Sequence, residues 1–361
     1  MEEETVKKEK IIKNDLSKCK NCGGNLRFNP QSQSLKCDNC GSLYEIQKSK
    51  EYKKHDINEK YDDSKEYKAW INNNKIFKCS NCGSSVILNS LEISKCCPYC
   101  GNAFVSADGE IPGYLPDSII PFRFDNSTAS EKFVQNVRKK FYVSGKFKKK
   151  LPENKIIGTY IPTFSFDAIS NSDYQGVLTK TETYHTNNGI ATRTVSFNVS
   201  GHIVVNHKDV IVESSSKLTQ ENIKGILPYD TNSAFAFRDD YIRGYTVEHY
   251  QDALDICEKT AEQIFGEQIK KSIMQRYPQA TGIQSLNFNP VISNEKYQYQ
   301  IVPIFEFQYL YKNKNYNTYM NGQTGKVDNN LPKSIPKIVA TVILALLIIL
   351  LPIIISLLSN S

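Results

Sequence analysis

A chain of 361 residues with 40% hydrophobic content has room for two or three domains and a proper core. No apolar stretch opens it between Met1 and Lys8, so the sequence predicts no secretory signal, and its 10 cysteines fit a reducing cytoplasm better than a disulfide framework. The formal charge of +7 is modest for this length and counts every cysteine as a neutral thiol.

Residues 1–16 are charged, and the first ordered feature is a cysteine repeat. Cys19-Lys-Asn-Cys22 is followed after 14 residues by Cys37-Asp-Asn-Cys40, and Cys79-Ser-Asn-Cys82 after another 14 by Cys97-Pro-Tyr-Cys100. An offset of 60 converts one set into the other, and Lys18/Lys78, Asn21/Asn81, Gly23/Gly83 and Gly41/Gly101 follow, as do the apolar pairs Leu26/Val86, Phe28/Leu88 and Tyr44/Phe104. Each Cys-x-x-Cys-Gly turn presents two thiolates, so the spacing predicts two four-cysteine zinc ribbons, at 17–45 and 77–106, holding two Zn2+ per chain. Iron held by four thiolates would use the same ligands. Cys96 aligns with Lys36 and is read as a bystander beside Cys97. Eight thiolates around two Zn2+ carry about −4, which lowers the net charge to about +3, a weak case for nucleic acid. Residues 46–76 read as a solvated charged linker that includes His55, with Trp70 near its end. Gly109, Pro112, Gly113 and Pro116 mark a second linker over 107–118.

From 119 to 327 the pattern predicts a β-rich α+β domain. Asp125-Asn126-Ser127-Thr128 offers N-cap residues to a helix with Phe133, Val137 and Phe141 on one face. The basic run 138–150 that ends it reads as a solvated face and loop, with contact to anionic lipid or nucleic acid as the alternative. Strands over 174–185 and 190–205 flank Asn187-Asn188-Gly189, and His202 and His207 then point to opposite faces. A helix is expected over 246–276, with Tyr250, Leu254, Cys257, Ala261 and Ile264 on its apolar face, and a last strand set over 283–327. Ile161-Pro162-Thr163-Phe164-Ser165-Phe166 recurs as Val302-Pro303-Ile304-Phe305-Glu306-Phe307, with Pro121-Phe122-Arg123-Phe124 a weaker echo; these predict repeated β-hairpins whose phenyl rings share a core.

Ile338 to Leu358 is 21 uncharged residues, about 31 Å of helix, which predicts one transmembrane span. Only Ser359-Asn360-Ser361 follows, so the expected topology is a single-pass tail anchor in the cell membrane. Lys326, Lys333 and Lys337 precede the span, which places the N-terminal bulk in the cytoplasm.

Neither phosphate-binding glycine motif occurs, nor Gly-x-Ser-x-Gly or His-Glu-x-x-His, so no catalytic site is expected. The twin Cys-x-x-Cys-Gly ribbons, the Pro-x-Phe-x-Phe strands and Asn321-Gly322-Gln323-Thr324-Gly325-Lys326-Val327 together resemble bacterial double zinc-ribbon proteins. These carry the label transcription factor IIB-type zinc ribbon and in some cases primosomal helicase; the missing nucleotide motifs speak against the second. The resemblance implies zinc on Cys19, Cys22, Cys37, Cys40, Cys79, Cys82, Cys97 and Cys100, and membrane complexes with phage-shock-type (PspA-like) and flotillin-like envelope-stress proteins. The function expected is a membrane-tethered adaptor recruiting a protein partner to the cytoplasmic face; the alternative is a membrane-associated nucleic-acid-binding protein.

Overall fold

Two long antiparallel strands, β8 (Lys155–Thr186) and β13 (Val291–Tyr311), form the spine of the protein, and the two Pro-x-Phe-x-Phe copies lie side by side on it. Ile161 pairs with Val302, Phe164 with Tyr299 and Phe305 with Gly158, so the copies are related by a local two-fold axis through the residues that precede the prolines. The computed structural model describes residues 18–59, 74–79, 85–89, 115–151, 155–186, 189–215 and 218–359. Alternation along the strands sends Phe164, Phe166, Phe305 and Phe307 to one face and Ile161, Val302 and Ile304 to the other. Both faces are therefore covered.

On the phenyl face, helix α1 (Asn126–Lys139) starts at Asp125, whose carboxylate accepts the Thr128 amide at 2.8 Å, and stacks Phe133 on Phe307 with centroids 3.8 Å apart. The third echo joins the same layer: Phe122 lies 4.8 Å and Phe124 5.5 Å from Phe305. The helix stops at Lys139, so Phe141 is not the third residue of its buried face; it is 61% exposed at the corner leading to α2 (Gly145–Lys150). On the opposite face, α3 (Gln220–Ile226) buries Ile223 and Ile226.

The turn after β14 (Lys314–Asn321) locks these layers together. The buried Asn321 carboxamide accepts the Gln323 and Thr324 amides, both at 2.8 Å, and donates to the Ile226 and Pro228 carbonyls. A Cβ at Gly322 would stand 2.6 Å from the Phe122 ring, so only glycine fits there. The Asn-Gly-Gln-Thr-Gly motif thus has a structural task.

β8 turns into β9 (Gly189–Glu213) with Thr186 opposite Gly189, and the two histidines of β9 lie on opposite faces. His202 is exposed beside Asp173, while His207 is buried between Ser170 and Gln268. The helix expected from Thr246 begins only at Leu254: α4 covers Leu254–Arg276 and buries Cys257, Ala261, Phe265, Ile269 and Ile273. Thr246–Glu248 is instead a short strand, β11, parallel to β8, because its backbone fills an open sheet edge. Burial pushes the Cys257 thiol up to about 12, as suits a packed hydrophobe.

Glu213, at the end of β9, is pushed up to about 7 by burial, with Asp252 and Glu248 adding repulsion. An acid raised in the fold contributes stability below its unfolded value near 4.3, and that stability is lost as pH rises through 7. Glu213→Gln is therefore expected to raise the melting temperature at pH 8, by roughly 2–3 kcal/mol of stability, and to leave it unchanged at pH 4. Equal shifts at both pH values would refute this account.

The segment read as a solvated linker is, over residues 46–59, a strap along the domain. Ile46 is buried, β4 (His55–Asp56) pairs with β13, and Lys54 forms ion pairs with Asp167 and Asp209. His55 is not solvated: its Nε2 lies 2.8 Å from Asp117 and its ring stacks on Tyr297.

The expected fold class, α+β with two small four-cysteine zinc ribbons, needs correction, because one such cluster stands among the described residues. β1 (Leu26–Asn29), β2 (Ser34–Cys37) and β3 (Leu43–Glu45) form a ribbon of three strands at the first repeat. At the second, β5 (Asn74–Lys78) and β6 (Ser85–Asn89) form an antiparallel pair that β11 draws into the main sheet. Lys78 pairs with Ser85 as Lys18 bridges Asn25, so the backbone repeat extends to the first knuckle. Cys82, Cys96, Cys97 and Cys100 lie outside the described residues, as does Trp70, and a second ribbon is not found among those described. The spacing of cysteines is a local property; which sheet a hairpin joins is not.

Helix α5 (Ile335–Ser359) is the last described element and contains the expected span 338–358. Ile335–Pro352 has the length and apolarity to cross a membrane, and none of this stretch is buried against the protein.

Candidate metal centre

Two tight turns build the site. The Gly23 amide donates to the Cys19 carbonyl at 2.8 Å and the Gly41 amide to the Cys37 carbonyl at 3.1 Å. Both glycines take positive φ, 71° and 74°, the conformation that folds each Cys-x-x-Cys back on itself. Pairing of Leu26 with Cys37 brings the turns together, and the four Sγ atoms of Cys19, Cys22, Cys37 and Cys40 lie within 4.8 Å of one another. Cys19–Cys40 and Cys22–Cys37 are each 3.5 Å apart. Four sulfurs around Zn2+ at roughly 2.3 Å would be about 3.8 Å apart, so the donor set fits a tetrahedral ion with little movement. Cys19 and Cys37 are buried and Cys22 and Cys40 exposed, so the four would hold an ion at the rim of the ribbon.

The surroundings favour thiolates. The Tyr44 hydroxyl accepts the Lys20 amide at 3.0 Å and lies 3.2 Å from Cys19 Sγ, while the Ser42 hydroxyl lies 3.0 Å from Cys40 Sγ. Tyr44, helped by the Asn21 and Cys22 amides, lowers the Cys19 thiol to about 6. Ser42 lowers Cys40. Cys22 behaves oppositely: the Gly24 amide favours its thiolate, yet crowding by Cys37, Cys40 and Cys19 pushes it up to about 12. A cation among the four sulfurs would offset that crowding and hold all of them as thiolates.

These hydroxyls were hidden in the sequence. The repeat pairs Tyr44 with Phe104 and Ser42 with Asn102, so the second copy lacks both hydroxyl groups. Treating Tyr44 and Phe104 as equivalent apolar positions concealed a difference in ligand support. Of the eight predicted ligands, the structure brings together Cys19, Cys22, Cys37 and Cys40; Cys79 is buried beyond β5, and Cys82, Cys97 and Cys100 lie outside the described residues. The expected two Zn2+ per chain are corrected to one four-cysteine centre among the described residues.

The centre is joined to the domain behind it. Phe28 meets Tyr241 edge-on at 5.4 Å, its amide donates to the Arg243 carbonyl at 3.0 Å, and Gln33 Nε2 donates to the Phe122 carbonyl at 2.7 Å. Leu26, Phe28 and Leu35 belong to the same buried cluster as Phe164 and Phe305.

No family model matches the chain, and no solved structure matches it. Over 318 residues, 88% of this chain and 90% of the other, it is 27% identical to "Uncharacterized protein YdjG" of Bacillus subtilis (strain 168). That name gives the relative no activity or partner. Membership in the double zinc-ribbon family, and the link to PspA-like and flotillin-like complexes that it implied, are corrected accordingly: one four-cysteine cluster stands among the described residues, and no comparison supports the link.

Proposed function

We propose that this protein is a non-enzymatic adaptor, stabilised by zinc and anchored in a membrane by α5, that holds a protein partner at the cytoplasmic face. The observation that carries the reading is the closed donor set. Four thiolates fill a tetrahedral zinc, which leaves no position for a water or substrate, so the centre supports structure rather than chemistry. The ribbon does not swing on a linker: it is packed on the domain, and the domain continues into the apolar helix. Such a molecule offers a rigid surface at a set height above a bilayer. The exposed first knuckle with Lys20, and Leu43 (58% exposed) at the start of β3, are the recognition face in this reading.

The test is recovery of partners from solubilised membranes, with and without nuclease. A protein partner should survive nuclease and be reduced about tenfold by Leu43→Glu, the effect of losing roughly 1.4 kcal/mol of contact. Recovery that disappears on nuclease treatment would establish the nucleic-acid reading instead.

A further inference from the structure

The corner between α1 and α2 is bound to the first turn of the apolar helix. The Ser144 amide donates to the Pro332 carbonyl at 3.0 Å, the Ser334 amide to the Tyr142 carbonyl at 2.7 Å, and Val143 bridges Lys333. Lys337 Nζ donates to the Phe141 carbonyl at 3.0 Å and sits 4.8 Å above the Phe141 ring. Residues 141–144 are thereby held level with the point where α5 begins.

What this corner presents is unusual for a soluble surface. Phe141 and Tyr142 are 61% and 45% exposed, adjacent, and packed edge to face at 5.2 Å. Aromatic side chains at the end of an apolar helix are characteristic of the headgroup layer of a membrane. Arg138, Lys139, Lys146 and Lys149 are exposed around them, and the sequence has no acidic residue from Lys132 to Leu151. Lys333 and Lys337 add charge from the other side of the junction. A groove of about 250 Å³ lined by Tyr142, Lys333, Ile338, Thr341 and Val342 opens at this level.

We propose that this corner is a second membrane contact, in which the exposed basic side chains of α1 and α2 bind the phosphates of anionic phospholipid in the leaflet that α5 enters. The inference rests on the reading that α5 spans the bilayer. Three features coincide at one height: a hydrogen-bonded junction with the span, unburied aromatic rings, and cations without carboxylates in the same segment. Headgroup phosphates supply a counter-charge to cations that form no ion pair among the described residues, and the rings occupy the interface beside them. The domain is then fixed in tilt as well as in height, because the corner touches the surface beside the helix that enters it.

The test uses the full chain in nanodiscs of phosphatidylcholine, either alone or with about 30% phosphatidylglycerol, a surface charge high enough to attract lysines. Lysine acylation is followed by mass spectrometry. Lys146 and Lys149 should react at least about threefold more slowly in the anionic discs, and about 0.5 M salt should remove the difference. Lys36 and Lys208, on β2 and β9, should react equally in both discs. Lys146→Glu combined with Lys149→Glu should enter discs normally and recover less phosphatidylglycerol with the protein. Equal rates at Lys146 and Lys149 in the two discs would overturn the proposal, as would protection by duplex DNA or RNA in neutral discs without protection by phosphatidylglycerol. A chain that fails to elute with discs at all would instead overturn the spanning reading of α5.

Discussion

Replacing Cys37 by Ser, or stripping the metal with a chelator, should destabilise the domain and not the ribbon alone. Strands of 4, 4 and 3 residues have no core of their own, so a metal on the four cysteines would hold them in register. In that register Leu35 is fully buried and Phe28 seals the Tyr241 side of the main cluster. Release of the ribbon uncovers both. Removing a phenyl ring such as Phe28 from a core costs about 3–5 kcal/mol, a large part of the roughly 5–15 kcal/mol that holds a domain folded. Urea melts of the full chain in detergent should therefore lose about 3 kcal/mol or more on chelation, on Cys37→Ser and on Phe28→Ala. The Cys37 variant should also bind one equivalent of zinc less than the wild type. A melt unchanged by chelation would show that the ribbon holds itself together.

The second large effect belongs to α5. Leu346 and Ile349 are 51% and 62% exposed within the apolar stretch, and replacing both by Lys places two charges at the middle of the span. Each central lysine costs about 2.5–3.5 kcal/mol on insertion scales, so the pair should move most of the protein from the carbonate-resistant membrane fraction to the soluble one. Wild-type protein in intact spheroplasts should also keep its Cys19–Cys40 ribbon when protease is added outside, because Lys333 and Lys337 flank the helix on the domain side. Retention of the double-lysine variant in the membrane would show that α5 is not the anchor; digestion of the ribbon would reverse the orientation.

What the sequence determined by itself is what depends on near neighbours. Cys-x-x-Cys-Gly spacing dictates a thiolate knuckle, because the turn closes within five residues and needs only glycine's positive φ. The apolar run from Ile338 dictates a helix long and apolar enough to cross a membrane, and alternation around Phe164 and Phe305 dictates the face those rings share. Asp125 announces the start of α1 for the same reason: its hydrogen bond reaches three residues.

The tertiary structure decided everything that required a distant partner. His55 reads as solvated until Asp117 and Tyr297 are beside it. Thr246–Glu248 continues a helical period, yet unpaired backbone on β8 and β6 captured it as a strand. Phe141 keeps the spacing of a buried face, but α1 ends two residues earlier and leaves the ring beside Lys337. The cysteine repeat shows the same limit most clearly. Two copies with one spacing met different surroundings: the first packed on Tyr241 with Tyr44 and Ser42 against its sulfurs, and the strands of the second were drawn into the main sheet through β11. Ligand spacing and the hydroxyls beside the sulfurs are encoded within the ribbon's own sequence, whereas burial against Tyr241 and pairing with β11 come from segments well over a hundred residues away.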